Sequence, residues 1–313
     1  MHWLIGLDWG TSRLRAMLFD GGGAVHETRN RPWGIRHLPE GGFDAALASI
    51  CEGWPSAPVL AAGMVGSRQG WREVGYIDTP ADIGALAASI VGVRSADGRR
   101  VGIIPGVRDA LSVDVMRGEE TQVIGALASR PELAGHMHLL LPGTHSKWIE
   151  VRDGRIVRLA TMMTGELYAV LREHSILGAG VPDTIGSNLD TDAFDAGVRA
   201  ARDSAAAGAL TKLFSTRALM LDGQLALDAV PDYLSGLLIG EELRAGLASG
   251  WLPGDAAPLL VGDESLCARY SRAAVAFNLA EPGTVLDASA RGLWRIGRAA
   301  ALIGQTTLAY GEH

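Results

Sequence analysis

Two short patterns recur at one fixed spacing, and this repeat constrains the fold more than any other feature of the sequence. Gly10-Thr11-Ser12 is matched by Gly143-Thr144-His145, and Asp20-Gly21 by Asp153-Gly154, each at an offset of 133 residues. A strand-like stretch separates the two members of each set. Asp-Gly favours a tight hairpin, and glycine with hydroxyl residues is typical of turns. We therefore predict an internal duplication built on two β-hairpins. A chance match is the alternative, because these residues are common in turns.

Length and element pattern together predict two α/β domains. The chain has 313 residues, and one domain commonly takes about 100–200 residues. Strand-like runs alternate with helix-like runs along both halves, which favours sheets covered by helices. We place the first domain at residues 1–130 and the second at residues 131–313.

Charge and cysteine content exclude several classes of protein. The net charge of −7 argues against nucleic-acid binding, which needs clustered Lys and Arg. The start of the chain does not resemble a signal peptide, and no run of about 18 apolar residues predicts a membrane span. Cys51 and Cys267 lie far apart in the sequence, so we expect two reduced, buried thiols and a cytoplasmic protein.

Both glycine-hydroxyl turns could bind phosphate. Asp8 ends a predicted buried strand just before Gly10, Thr11 and Ser12, where backbone N–H groups and hydroxyls can surround an anion. A carboxylate beside phosphates suits a Mg²⁺ ligand, although Asp8 could equally just favour the turn. The second turn offers similar donors from Gly143, Thr144, His145 and Ser146. Two such hairpins would hold the β- and γ-phosphates of a nucleotide from both sides.

The common glycine-rich nucleotide motifs are absent, and the two turns resemble a different superfamily. The sequence contains no P-loop motif, and no Gly-x-Gly-x-x-Gly follows a predicted strand. The segment Gly6–Ser12 is similar to the first phosphate motif of the sugar kinase, actin and heat-shock chaperone superfamily, and Leu141–Trp148 is similar to its second. The segment Leu259–Ser265 is similar to its adenosine motif, although Asp263 stands where a second glycine is usual.

Within that superfamily, the chain resembles the 2-dehydro-3-deoxygalactonate kinases. The resemblance covers nearly the whole chain and is carried by four stretches: Ala62–Ser67, Val115–Gln122, Met163–Leu167 and Leu234–Gly240. It implies two ribonuclease-H-like domains flanking a nucleotide-binding cleft, with the final helix packed on the first domain. It also implies ATP and Mg²⁺ as cofactors, nucleoside contacts from Gly262 and Asp263, and phosphate transfer to the 6-hydroxyl of 2-dehydro-3-deoxy-D-galactonate.

Phosphoryl transfer needs one carboxylate to accept the hydroxyl proton. Glu119 is our first candidate, since it lies at a predicted helix N-terminus, where an ionised carboxylate is stabilised. Glu120 and Asp114 are the alternatives, and all three could simply be acidic residues near a helix start.

A sugar-acid substrate also needs a cation for its carboxylate. Arg117 is the first candidate because a guanidinium can bind a carboxylate through two hydrogen bonds. Arg15 and Arg68 are the alternatives. The loop around Arg68 could bind sugar hydroxyls; its candidate residues are Gly66, Ser67, Gln69 and Trp71.

Two other functions stay open at this point. The acceptor could be another 2-keto-3-deoxy sugar acid or a neutral sugar. The chain could also be an actin-like ATP-binding protein that is not a kinase. A small-molecule acceptor and ATP are the expected partners, with no nucleic acid and no membrane, and a homodimer is allowed.

Overall fold

The computed structural model describes residues 3–181, 189–253 and 256–303. Within these ranges the chain forms two compact units. The first contains residues 3–136, 151–159 and 287–303, and the second contains residues 137–150, 160–181, 189–253 and 256–286. The domain boundary expected between residues 130 and 131 stays a prediction.

Strands and helices alternate through both units, which confirms the α/β class. The strands are β1 (Leu4–Trp9), β2 (Leu14–Phe19), β3 (Val25–Arg31), β4 (Val59–Gly63), β5 (Tyr76–Asp78), β6 (Val91–Arg94), β7 (Arg100–Ile103), β8 (Gly106–Asp109), β9 (Asp114–Met116), β10 (His136–Leu141), β11 (Ser146–Arg152), β12 (Arg155–Met162), β13 (Leu259–Val261) and β14 (Thr284–Val285). The helices are α1 (Gly42–Ile50), α2 (Ile83–Ala88), α3 (Glu119–Ser129), α4 (Thr164–His174), α5 (Thr191–Arg202), α6 (Leu213–Leu221), α7 (Val230–Ala248), α8 (Glu264–Ala276) and α9 (Ala288–Ala299).

The sheet of the first unit is built around strand β1. Its order is β3-β2-β1-β4-β7-β6, with β2 antiparallel and β4 parallel to β1. Ile5, Leu7 and Trp9 of β1 are fully buried and share a core with Leu47 and Ile50 of α1. Such a central parallel pair brings the carboxyl ends of β1 and β4 to the same edge of the sheet.

The second main sheet repeats this pattern. Its order is β12-β11-β10-β13-β14, and β13 runs parallel to β10 as β4 does to β1. The predicted turn between β11 and β12 is present, with φ of 49° at Asp153 and 71° at Gly154. Positive φ at both residues matches the type of two-residue turn that fits the twist of a hairpin. The same strand order in both sheets supports the predicted duplication.

Helix α9 packs against α3 at very close range within the first unit. A methyl group at Gly292 would lie 1.8 Å from the Thr121 carbonyl oxygen, and one at Gly125 would lie 1.9 Å from that of Ala288. The two glycines therefore let the helix backbones touch. This contact confirms that the final helix returns to the first domain.

A three-stranded sheet in the first unit was not foreseen from the sequence. Its order is β5-β8-β9, with β5 parallel and β9 antiparallel to β8. Strand β9 ends at Met116 and leads through Arg117 and Gly118 into α3. These strands are short, and their alternation of side chains is too brief to predict.

Two helices show features that depend on tertiary packing. Helix α7 is buried on most sides, including the charged positions Asp232 and Glu242. The N-cap of α4 is Met163, and the Thr164 side chain donates its hydrogen bond to Glu242. The hydrogen-bond partner of Thr164 lies on a distant helix, so local sequence could not reveal it.

The two cysteines are free and buried, as expected. Burial raises the pKa of the Cys51 and Cys267 thiols to about 11 in each case. Both thiols are therefore protonated and unreactive near neutral pH.

Among residues 3–181, 189–253 and 256–303, no helix is both long and apolar enough to cross a membrane.

Candidate active site

Three glycine turns meet at the carboxyl edge of β1 and β4. In the β1–β4 register, Asp8 lies beside Ala62 and Trp9 beside Gly63. A methyl group at Gly63 would lie 2.8 Å from the Trp9 carbonyl oxygen, and one at Gly118 would lie 3.2 Å from the Gly63 Cα atom. The segments after β1, after β4 and before α3 are therefore in contact. Ligands of open α/β sheets bind at such an edge.

The first glycine-hydroxyl turn is held from behind by the segment Trp33–Arg36. The Gly10 carbonyl accepts a hydrogen bond from the Ile35 N–H at 3.1 Å, and the Thr11 carbonyl accepts one from the Arg36 N–H at 3.3 Å. The Gly10 N–H is also engaged, since it donates to the Arg13 carbonyl at 2.9 Å. The hydroxyls of Thr11 and Ser12 are therefore the donors that this turn can offer a ligand. Ser12 is exposed and Thr11 is half-buried.

Asp8 and Arg15, predicted for different roles, form an ion pair. Arg15 Nη2 donates to Asp8 Oδ2 at 3.0 Å, and the two side chains are 35% and 33% exposed. A single accessible carboxylate next to a phosphate-binding turn fits Mg²⁺, which commonly takes one or two protein carboxylates plus phosphates and water. The chemistry of the donor set here fits that ion.

The two glutamates at the start of α3 differ in their access to solvent. Glu119 is half-buried, and its Oε2 accepts the Arg117 backbone N–H at 3.0 Å. Glu120 is 0% exposed, and its carboxyl group accepts the Gly118 N–H at 2.6 Å and the Thr121 hydroxyl at 3.1 Å. Burial, and secondarily the charge of Glu119, raise the pKa of Glu120 to about 8. Of the two, only Glu119 has a carboxylate that a substrate could reach.

Asp114 lies at the other end of β9 from these glutamates. It begins the strand, three residues before Arg117, which separates the two backbones by roughly 10 Å in an extended chain. The structure therefore brings Glu119 and Glu120 to the β1–β4 edge, but it does not bring Asp114 there.

Arg117 lies against the loop that was predicted to bind the acceptor. Its Nη2 donates to the Val74 carbonyl oxygen at 2.6 Å, and its guanidinium stacks 4.4 Å from the centre of the Tyr76 ring. Its Nη1 is 3.0 Å from the position a methyl group at Gly66 would take. Within the described residues, Arg117 Nε and Nη1 and the Ser67 hydroxyl are buried without a hydrogen-bond partner. Three polar atoms beside this loop are therefore enclosed and unsatisfied.

The other residues of this loop are less closely placed. Arg68 and Gln69 are exposed. Trp71 stacks on Phe43 with ring centres 5.7 Å apart and meets Trp9 edge-on at 6.1 Å. Trp71 therefore supports the loop from the core side. Sequence reasoning missed Tyr76, because a lone tyrosine on a short strand carries no motif.

In the second unit, two turns adjoin at the carboxyl edge of β10 and β13. The strands run parallel with Leu140 beside Leu260, and a methyl group at Gly262 would lie 3.7 Å from the Pro142 carbonyl oxygen. The predicted second phosphate turn and the predicted adenosine turn are thus neighbours.

The side chains of the second phosphate turn divide into open and buried groups. Thr144 and His145 are exposed, and His145 Nε2 contacts Glu166 Oε2 in a short hydrogen bond. Ser146 is 0% exposed, and its hydroxyl lies 3.1 Å from the Tyr270 hydroxyl. Thr144 and His145 are therefore placed to meet a ligand, whereas Ser146 faces the interior.

Asp263 is engaged as the N-cap of α8. Its Oδ1 accepts the backbone N–H of Ser265 at 3.0 Å and that of Leu266 at 3.2 Å. The hydrogen bond from the Ser265 hydroxyl is the main cause that lowers the pKa of Asp263. An aspartate at this position therefore begins the helix that follows the predicted adenosine turn.

Comparison with solved structures identifies the fold. The chain superposes with a TM-score of 0.51 on component A of the (R)-2-hydroxyglutaryl-CoA dehydratase of Acidaminococcus fermentans, at 13% identity and covering 96% of this chain and 100% of the other. At this identity the likeness concerns the fold alone. Together with the duplicated sheets, it confirms two ribonuclease-H-like domains of the actin-like ATPase type.

Comparison with closer relatives identifies the family. A protein of Sinorhizobium meliloti, provisionally named 2-dehydro-3-deoxygalactonokinase, has a crystal structure with a TM-score of 0.85 at 36% identity, covering 95% of this chain and 98% of the other. The 2-dehydro-3-deoxygalactonokinase of Escherichia coli K12 is 37% identical over 273 residues, 86% of this chain and 88% of the relative. The sequence model of the 2-keto-3-deoxy-galactonokinase family matches residues 8–296. The chain belongs to the 2-keto-3-deoxy-galactonokinase family.

Proposed function

We propose that this protein transfers the γ-phosphate of ATP to the 6-hydroxyl of 2-dehydro-3-deoxy-D-galactonate. One observation in this family member carries the proposal. A half-buried glutamate (Glu119), an arginine with buried, unpaired N–H groups (Arg117) and a glycine-hydroxyl turn (Gly10–Ser12) lie along one sheet edge. The substrate class is inferred from family membership, and the role of each residue is inferred from the position of its side chain.

In this reaction Glu119 accepts the proton of the 6-hydroxyl as that oxygen attacks the γ-phosphorus. The new O–P bond forms while the bond to the bridging oxygen of ADP breaks, and ADP leaves. Support for Glu119 over Glu120 comes from access, since the Glu120 carboxyl group is fully buried. Support for Glu119 over Asp114 comes from the position of Asp114, which lies at the end of β9 away from α3.

Arg117 binds the carboxylate of the acceptor, and Ser67 donates or accepts a hydrogen bond at a neighbouring oxygen. The Tyr76 ring and the Val74 carbonyl hold the guanidinium in one plane. A fixed guanidinium loses less side-chain freedom on binding a carboxylate, and this favours both affinity and orientation.

The nucleotide contacts are assigned to both glycine-hydroxyl turns. Thr11, Ser12, Thr144 and His145 present exposed or half-exposed donors for phosphate oxygens. Asp8 would hold Mg²⁺, which supplies positive charge to the phosphates when ATP is bound. Arg15 then orients the Asp8 carboxylate through their ion pair. A cytoplasmic location and a homodimer stay predictions.

The product tests this assignment directly. Incubation with Mg²⁺-ATP and 2-dehydro-3-deoxy-D-galactonate, followed by phosphorus NMR, should give a phosphate monoester coupled to the two protons on carbon 6. A phosphate on another hydroxyl would reject the proposed position. Slow ATP hydrolysis with no sugar phosphate would favour a non-kinase ATP-binding protein.

A further inference from the structure

The second unit contains a buried carboxylate with no part in the reaction as described so far. Glu242 lies on α7 and is only 2% exposed. Its Oε1 accepts the Trp148 indole N–H at 2.9 Å, and its Oε2 accepts the Tyr270 hydroxyl at 2.5 Å. The Thr164 hydroxyl also donates to Oε2 in a short hydrogen bond. Three donors from three separate elements therefore converge on one side chain.

The partners of Glu242 surround the second phosphate turn. Trp148 lies on β11, which begins directly after the turn, and Thr164 is the first residue of α4. Tyr270 lies on α8, which follows the adenosine turn. Because the Tyr270 proton goes to Glu242, the Ser146 hydroxyl donates the 3.1 Å hydrogen bond between them. Ser146 is itself the residue that ends the turn.

The start of α4 fixes the backbone of the turn. The Glu166 N–H donates to the Thr144 carbonyl oxygen at 2.9 Å. Gly165 packs so closely that a methyl group there would lie 2.5 Å from the Gly143 carbonyl oxygen. A shift of the first turn of α4 would therefore move Gly143 and Thr144 with it. Glu242 holds this helix end through Thr164 and the other end of the turn through Tyr270 and Ser146.

Packing alone gives little reason for a carboxylate at this position. Burial is the main influence and raises the pKa of Glu242, against hydrogen bonds from Thr164, Tyr270 and Trp148. A buried charge costs free energy that a well-packed apolar side chain would not. A buried polar network in which every member is satisfied does, however, fix side chains in a single arrangement.

We propose that Glu242 is a positioning residue that sets the geometry of the second phosphate turn for ATP. This inference rests on the proposed function, since it takes that turn to bind the phosphates. Glu242 contacts no phosphate itself and acts through Thr164, Tyr270 and Ser146.

The test compares nucleotide and acceptor binding in the full-length enzyme carrying Glu242→Gln. Glutamine keeps the shape of the side chain and can accept the Trp148 N–H. Its amide N–H₂, however, faces the Thr164 and Tyr270 hydroxyls, which would have to change from donors to acceptors. We expect KM for ATP and Kd for ADP to rise by about 10- to 100-fold, the effect of losing one hydrogen bond to a charged phosphate group. KM for the acceptor should stay within about twofold, because the acceptor residues lie in the first unit. Glu241→Gln is the matched control on the same helix, since Glu241 pairs with Arg244 and the Ala209 N–H.

A second variant separates positioning from folding. Thr164→Val keeps the side-chain volume and removes the hydrogen bond that links the start of α4 to Glu242. It should therefore raise KM for ATP even if Glu242→Gln does not fold. The double variant should raise KM by less than the product of the single effects, as expected for residues that act through one contact. Unchanged KM for ATP in the folded variants, or equal increases for ATP and acceptor, would overturn the proposal even if thermal stability fell.

Variants in the turn itself distinguish failure of this inference from failure of the phosphate assignment. If Thr144→Val and His145→Ala raise KM for ATP but Glu242→Gln and Thr164→Val do not, the positioning role alone is rejected. If neither pair affects KM for ATP, the turn does not bind phosphate, and both proposals fall.

Discussion

At the scale of single residues, replacing Glu119 should slow the proton-transfer step without weakening the binding of either substrate. Replacing it with Gln keeps the shape of the side chain and removes the basic oxygen. We expect kcat to fall by about 10²- to 10⁴-fold, the usual contribution of a general base. KM for either substrate should change little. Steady-state kinetics measure both quantities, and Glu132→Gln, at an exposed carboxylate paired with Arg130, is the control. A kcat within threefold of the wild type would assign the base elsewhere.

Arg117 should determine affinity for the sugar acid. Removal of hydrogen bonds to a charged group costs about 1.5–3 kcal/mol each, so Arg117→Ala should raise KM for the acceptor by at least about 10-fold. KM for ATP should stay unchanged in this variant. Arg108→Ala removes an exposed arginine of the nearby strand β8, which pairs with Asp78, and is the matched control. If acceptor KM is unchanged in Arg117→Ala, another cation binds the carboxylate.

Glu120 should make stability depend on pH. Its pKa is raised from the ordinary 4.5 to about 8 in the folded protein, so the folded state keeps a proton that the unfolded chain has lost between these values. Unfolding then releases a proton, and the free energy of unfolding falls as pH rises across this window, by up to about 1.4 kcal/mol per pH unit. Below pH 4.5 both states are protonated, and the contribution is fully present.

The comparison with Glu120→Gln isolates this slope. Gln is uncharged at every pH and keeps the shape of the side chain. Its carbonyl oxygen can accept the Gly118 N–H, and its amide can donate to the Thr121 hydroxyl. Urea unfolding at pH 5, 6.5 and 8 should therefore show the variant gaining stability relative to the wild type as pH increases. A difference that is constant across the series would mean that Glu120 titrates near its ordinary pKa.

At the scale of elements, the first phosphate turn depends on the segment behind it. A methyl group at Gly34 would lie 2.2 Å from the Ser12 nitrogen and from the Thr11 carbonyl oxygen, far inside van der Waals contact. Gly34→Ala should push the turn out of place and raise KM for ATP by about 10-fold or more. Gly92→Ala is the control, because a methyl group there meets no atom within 4 Å. Equal nucleotide affinity in the two variants would show that the segment does not position the turn.

The elements also show what the sequence could predict. The hairpins, the parallel strands that follow them and the start of α3 were predictable, because each combines an apolar run with a strong turn or helix-start residue. Tyr76 and Val74 were not, since their contacts with Arg117 join positions more than forty residues apart. The Glu242 network was missed for the same reason, as its partners lie 28 to 94 residues away. Periodicity and turn chemistry describe local structure, whereas these contacts are created by packing.

At the scale of the whole molecule, the repeated strand order gives the chain two glycine-hydroxyl turns, one in each unit. Each sheet has a hairpin next to a parallel strand, and each places its glycine-hydroxyl turn at the carboxyl edge. The first unit adds the acid and the arginine, and the second adds the predicted nucleoside turn beside Pro142. Each unit thus carries the same hairpin and parallel-strand arrangement, with a different set of polar side chains at its carboxyl edge.

The central claim is that the protein is a kinase selective for this sugar acid. Its most direct test is ADP release with Mg²⁺-ATP across 2-dehydro-3-deoxy-D-galactonate, its gluconate epimer and plain hexoses, with kcat/KM measured for each. We predict strong stimulation by the galactonate derivative, weaker stimulation by the epimer and none by the hexoses. Preferential phosphorylation of a neutral hexose, or no stimulation by any acceptor, would contradict the account.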